Sequence, residues 1–180
     1  MLKKGKRQMT RAGTTRSLQH APALFSCIAG TPIRTPSGDV PVEDLHPGDL
    51  ICTADSDPQP LARTRQFRVE ALGDLAPVCI RAGTLGPHGT LFVAPQHRIL
   101  IRDSLATLLF GAAEVMVAAR DLVDGRSVTL LQGGLVDYVE LEFTGRPVIF
   151  AHGLPTASIQ PGPCRMLRRF EAQVLMTAAA

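Results

Sequence analysis

Short apolar runs separated by turn residues form the dominant pattern of the chain between Gly30 and Gly162. Clusters of Gly, Pro, Asp and Ser interrupt the sequence roughly every eight to twelve residues. The runs between these clusters are rich in β-branched residues and alternate in polarity, as in the segments 91–93, 98–101 and 138–143. Short strands at this spacing predict an all-β domain.

The C-terminal segment has a different period. In residues 165–180, Leu167, Phe170, Val174 and Leu175 fall at helical spacing, and the charged side chains lie mostly off that stripe. No other segment shows this period. The sequence therefore predicts one short helix, placed at the C-terminus.

An internal echo links the segments 44–51 and 121–128. Both read Asp-Leu-x-x-Gly-x-x-(Ile/Val), and each stands between two predicted strands. The Asp-Leu pair leads into a turn that the glycine completes, so each copy is expected to reverse the chain. One interpretation is a chance match of four positions. The other is a duplicated β unit, which predicts two halves related by pseudo-two-fold symmetry.

The charge is concentrated in the first 26 residues. The chain has 19 basic and 16 acidic residues, and residues 1–26 carry six of the basic residues and none of the acidic ones. The rest of the chain therefore has 13 basic and 16 acidic residues. The basic character therefore belongs to an N-terminal leader, expected to be disordered, and does not indicate a nucleic-acid-binding domain. Aromatic residues make up only 4% of the 180-residue chain, which predicts one domain with an aliphatic core.

The leader imitates a secretion signal at both ends but not in its middle. Arg11 and Arg16 interrupt the central part, where a signal peptide needs about 7–15 uninterrupted apolar residues. No stretch approaches the roughly 18 apolar residues of a membrane span. We therefore expect neither a signal peptide nor a membrane segment.

The cysteines show no metal-binding pattern. They stand far apart, without a Cys-x-x-Cys pair or a histidine at ligand spacing: Cys27, Cys52, Cys79 and Cys164. We expect no metal site and no cofactor. Free thiols favour a reducing compartment, and therefore the cytoplasm.

Cys27 and His97 are the candidate catalytic residues. Cys27 stands where the leader ends and the patterned domain begins, well placed to attack the carbonyl of its own upstream peptide. That attack, at Ser26, is an N-to-S acyl shift in which the Cys27 amide nitrogen leaves and a histidine helps to protonate it. His97 lies between two predicted strands. The structural alternatives are a small buried hydrophobe for Cys27 and a turn cap for His97.

Four stretches of the chain resemble the Hint (hedgehog/intein) domain in its bacterial stand-alone branch. From first to last they span roughly three quarters of the chain, in the family's order: Cys27–Asp55, Val93–Leu100, Phe110–Val117 and Val148–Gly162. The resemblance implies a pseudo-two-fold all-β horseshoe over residues 27–162, between the leader (1–26) and a helical tail (163–180). It also implies acyl-shift activity, with Cys27 as the nucleophile, His97 activating the scissile amide, and the leader as the intramolecular substrate.

Some positions depart from the family pattern. Ala94 replaces a family Thr or Ser three residues before the histidine and has no hydroxyl to donate. Glu140 and Arg146 stand in late strands where relatives often have histidine, and Ala157-Ser158 replaces the His-Asn end of inteins. The chain contains no Asn. Asparagine therefore cannot cut the chain, and we do not expect full protein splicing.

Three functions remain open on the sequence. The first is a self-processing domain that passes the leader to water or to another external nucleophile. The second is a degenerate, non-catalytic Hint fold used for binding. The third is a Cys-His hydrolase acting in trans on a foreign substrate, for which the sequence identifies no Asn or Asp that orients the histidine.

Overall fold

The structure is a computed structural model that describes residues 25–157 and 164–178. Short strands predominate there, so the predicted all-β class is confirmed. The predicted leader lies almost entirely outside the described residues. In chain order the strands are β1 (Ser26–Ile28), β2 (Pro32–Thr35), β3 (Gly38–Pro41), β4 (Leu50–Ile51), β5 (Gln59–Pro60), β6 (Arg63–Glu70), β7 (Val78–Ile80), β8 (Leu91–Val93), β9 (Arg98–Arg102), β10 (Glu114–Ala118), β11 (Val128–Leu130), β12 (Leu135–Glu142), β13 (Val148–Ala151), β14 (Leu154–Ala157) and β15 (Arg165–Met166). The α-helices are α1 (Ser104–Phe110) and α2 (Arg169–Ala178).

Two large sheets share one hydrophobic core. The six-stranded sheet has the order β11-β7-β8-β1-β12-β6, and the seven-stranded sheet has the order β15-β10-β9-β14-β13-β2-β3. Strands β4 and β5 form a separate pair. Buried Leu, Ile, Val and Ala side chains from both sheets supply most of the core, as the scarcity of aromatic residues predicted.

The echo in the sequence corresponds to two similar turns. The strand before each copy leads into a 3₁₀ turn, Val42–Asp44 in the first copy and Ala119–Leu122 in the second. Gly48 and Gly125 then adopt positive φ angles of 97° and 77°, which glycine tolerates without steric cost. Each copy therefore forms a turn between two strands.

The likeness extends to the strands before these turns. A tight turn after β1 ends at Thr31, and one after β8 ends at His97. The amide of Val42 donates to the Thr31 carbonyl (2.9 Å), and the amide of Ala119 donates to the His97 carbonyl (2.8 Å). Thr31 and His97 therefore occupy equivalent positions in a duplicated unit. Within the described chain, α1 lies in the second copy where the first has the β2–β3 hairpin turn.

The C-terminal helix exists, but its buried face differs from the prediction. Strand β15 pairs in parallel with β10 and directs Leu167 into the core before the helix begins at Arg169. The side chains that α2 buries are Ala172, Leu175 and Met176, whereas Phe170 and Val174 are 64% and 48% exposed. The predicted stripe is therefore wrong at Phe170 and Val174, because pairing with β10 delays the helix and sets which face it buries.

The prediction of a single helix was wrong, because α1 is a second one. Asp103 caps its N-terminus by accepting a hydrogen bond from the amide of Leu105 (2.8 Å). Gly111 ends the helix in the left-handed conformation, with φ of 65°. The helix has seven residues, which is too short for its hydrophobic period to stand out from the neighbouring strands.

Candidate functional site

The start of the domain lies in the middle of the six-stranded sheet. Strand β1 is hydrogen-bonded between β8 and β12, with Ser26 opposite Glu140 and Cys27 opposite Val139 on β12. On the other side, Cys27 is opposite Val93 of β8. The peptide bonds at the N-terminal end of β1 are therefore held by neighbours on both sides.

Alternation along β1 sends Ser26 and Cys27 to opposite faces of the sheet. Cys27 is fully buried and belongs to the hydrophobic core together with Val93 and Val139. Burial raises the pKa of the Cys27 thiol far above its ordinary value, so the reactive thiolate is strongly disfavoured. Ser26 is also buried, but its side chain lies on the face that carries Glu140.

His97 contacts the backbone at the N-terminal end of β1. Its Nδ1 accepts a hydrogen bond from the amide of Ser26 at 3.3 Å. The ring is fully buried and packs on the ring of Phe25, with 4.8 Å between the centroids. Because Nδ1 accepts this bond, the proton of the neutral ring resides on Nε2, which has no hydrogen-bond partner among residues 25–157 and 164–178.

The environment of His97 favours the neutral imidazole. Burial lowers the pKa of His97 to about 3, because the charged ring would lose its hydration in the core. At neutral pH the ring is therefore a hydrogen-bond acceptor toward Ser26. An uncharged buried donor such as Nε2–H costs about 1–3 kcal/mol when it is unpaired, a cost that functional sites often carry.

The hydrogen bond lies one peptide upstream of the predicted position. The sequence placed His97 at the amide of Cys27, in the Ser26–Cys27 peptide. In the structure His97 holds the amide of Ser26, which belongs to the Phe25–Ser26 peptide. The carbonyl of Ser26 instead accepts a hydrogen bond from the amide of Ala94 (3.0 Å).

Sequence reasoning did not single out Ser26. It selected Cys27 because a thiol is the stronger nucleophile, whereas the structure shows that β1 directs this thiol into the core. The available signal was the alternation of Ser26-Cys27-Ile28, in which the two flanking residues share the face opposite to Cys27. Three residues are too few to show which face is the buried one.

The remaining predicted positions take no part in the contacts around His97. Ala157 ends β14 opposite Arg98, and Ser158 lies outside the described residues. The described part of the chain contains no group of three His, Cys, Asp or Glu side chains placed to hold a metal ion. None of its helices has the length and apolar character needed to cross a membrane.

Comparison with known proteins identifies the fold. The chain is similar to the AceL NrdHF class 3 split intein (13% identity, TM-score 0.50), covering 73% of this chain and 95% of the intein. It is also similar to the MchDnaB-1 intein (14%, TM-score 0.48, 72% and 98%) and to a bacterial intein-like domain from Clostridium thermocellum (14%, TM-score 0.48, 74% and 98%). At these identities the likeness concerns the fold alone.

The family assignment comes from the sequence. A search of curated proteins found no match. A family model described as the Hint domain, however, matches residues 25–163, which is more than three quarters of the chain. This match begins at Phe25 and includes Ser26, Cys27 and His97. The chain belongs to the Hint domain family.

Proposed function

We propose that this Hint domain processes itself at the Phe25–Ser26 peptide by an N-to-O acyl shift, with Ser26 as the nucleophile and the preceding leader as the acyl group. The observation that carries the proposal is the hydrogen bond from the Ser26 amide to Nδ1 of His97. It singles out one peptide nitrogen in the sheet for contact with a buried histidine. The side chain of the same residue supplies a hydroxyl nucleophile.

The reaction conserves atoms and charge. The Ser26 Oγ attacks the carbonyl carbon of Phe25, and a C–O bond forms as the C–N bond to Ser26 breaks. The proton lost by the hydroxyl is gained by the nitrogen. The product is an ester that joins the leader to the Ser26 side chain, with a free amine at Ser26. An external nucleophile then releases the leader.

His97 supports this step by binding the leaving nitrogen. Nδ1 accepts the hydrogen of the Ser26 amide and fixes the orientation of that N–H bond. A fixed N–H bond helps the nitrogen to leave the peptide plane as it becomes tetrahedral. A pKa of about 3 leaves only about one ring in 10⁴ protonated at neutral pH. The proton gained by the nitrogen therefore comes from the Ser26 hydroxyl, since the imidazolium is too rare to be its main source.

One observation favours the junction predicted from the sequence, Ser26–Cys27, as a second candidate. The amide of Ala94 already donates to the Ser26 carbonyl (3.0 Å) and would remain on that oxygen as negative charge develops during attack by Cys27. This route requires the Cys27 thiol to leave the core and to ionise against its raised pKa. The serine route leaves Cys27 packed in the core, and we therefore place it first.

Intact mass measured after hydroxylamine treatment distinguishes the two junctions. The serine route releases residues 1–25 as a hydroxamate and leaves a domain that begins at Ser26. The cysteine route releases one residue more. We expect Ser26→Ala to abolish release and Cys27→Ala to preserve it. The opposite pattern would establish the Ser26–Cys27 junction. A wild-type chain that stays at full mass would instead indicate the degenerate, non-catalytic binding module.

A further inference from the structure

The face of the sheet that carries Ser26 also carries an acidic side chain directly opposite it. Glu140 of β12 is the antiparallel partner of Ser26 of β1. Side chains that are directly opposite in such a pair have Cβ atoms about 4.5–5.5 Å apart and point the same way. A glutamate side chain spans that gap, so the register brings a carboxylate within reach of the Ser26 hydroxyl.

The neighbours on this face have other partners. Two residues before Glu140, the hydroxyl of Tyr138 donates to the Leu75 carbonyl (3.0 Å). Two residues after it, Glu142 forms an ion pair with Arg63 of β6 (2.7 Å) at the exposed end of the strand. The register therefore places Glu140, and neither of these neighbours, opposite Ser26.

Glu140 is half-buried, unlike the fully buried Ser26 and His97, and it faces a basic residue on its other side. On β6, Arg65 lies opposite Glu140 in the register, with its guanidinium carbon 5.6 Å from the ring centroid of Phe67. Glu140 thus stands between the candidate nucleophile and a basic edge strand.

We infer that Glu140 is the general base of the acyl shift, an inference that rests on the proposed function. Its carboxylate takes the proton from the Ser26 Oγ as the C–O bond to Phe25 forms. The resulting carboxylic acid gives that proton to the Ser26 nitrogen as the C–N bond breaks. Glu140 is thereby regenerated as a carboxylate. In this scheme Glu140 moves the proton and His97 orients the nitrogen.

The test compares variants of Glu140 with a matched control on the same strand. Glu140→Gln keeps the size of the side chain but removes the base, and we expect the rate of hydroxylamine-induced release of the leader to fall about 10²–10⁴-fold. Glu140→Asp retains a carboxylate and should recover part of that loss. The control is Glu142→Gln, which removes an exposed carboxylate from the same face and should leave the rate unchanged.

The outcomes separate this inference from the function on which it rests. If the wild-type chain releases its leader and Glu140→Gln does so equally fast, Glu140 is not the base, although the acyl shift stands. A loss in Glu140→Gln that Glu140→Asp does not relieve also overturns the inference, because it indicates a role in packing. If the wild-type chain releases nothing, the inference fails together with the proposed function.

Discussion

Acidification tests whether His97 is buried in its neutral form. Below about pH 6.5 the unfolded chain takes up a proton on His97, whereas the folded chain does not do so until about pH 3. Within this window the unfolded state binds more protons, so the free energy of unfolding falls as the pH falls. The full contribution is present above about pH 6.5.

The expected size of the effect follows from the two pKa values. Stability should fall by about 1.4 kcal/mol per pH unit in this window, or roughly 2 kcal/mol between about pH 6.5 and about pH 5. This is about an eighth or more of the roughly 5–15 kcal/mol that stabilises a typical domain. Urea unfolding at several pH values measures it, with Ser26→Ala as the background so that the chain stays intact.

The matched control for this titration is His97→Phe. It keeps a ring against Phe25 but cannot take up a proton, and it leaves the Ser26 amide without its acceptor, at a pH-independent cost of about 1–3 kcal/mol. Asp124 does not confuse the measurement, because three backbone amide bonds lower its pKa and its contribution is lost only at more acidic pH. Equal pH slopes in the histidine and phenylalanine chains would refute the buried neutral histidine.

Two further predictions concern the rate of processing and the tail. Ala94→Ser should speed hydroxylamine-induced release of the leader by up to about 10²-fold, because it returns a hydroxyl donor beside the site. Ala94→Val adds volume without a donor and should not raise the rate. Equal rates in the wild-type chain and both variants would contradict this role of the hydroxyl. Leu175→Ala should lower the free energy of unfolding by about 2–5 kcal/mol, because Leu175 is in the core, and Val174→Ala, on the exposed side of α2, should change it by less than about 0.5 kcal/mol. Urea unfolding compares these two, and similar losses would show that the helix buries a different face.

Much of the fold could be predicted because the signals are local. Turn chemistry and alternation mark the strands, and the Asp-Leu-x-x-Gly echo marks both 3₁₀ turns without any knowledge of their partners. Helix α1 was not predicted because its seven residues make only about two helical turns, too few for a helical period to be recognised. The buried face of α2 was predicted wrongly because a long-range contact, the pairing of β15 with β10, decides where the helix begins.

In the candidate site, too, the features set by neighbouring residues could be predicted and those set by long-range contacts could not. The strand–turn–strand context of His97 can be read from the sequence, since it depends on neighbouring residues. The assignment of Ser26 and Glu140 depends on the register between β1 and β12, which joins residues that are distant along the chain. A shift of one residue in that register would place Cys27 instead of Ser26 opposite Glu140. No local pattern in a three-residue strand determines it.

If the proposed acyl shift operates, the central place of β1 in its sheet also sets when the shift can begin during synthesis. Although β1 is the first described strand to leave the ribosome, its sheet neighbours β8 and β12 are made much later. Ser26 therefore meets His97 only after β8 has emerged, and Glu140 only after β12 has emerged. By this order of synthesis, a chain that processes itself would keep its leader through most of translation. An incomplete chain that ends before β12 should keep the leader permanently.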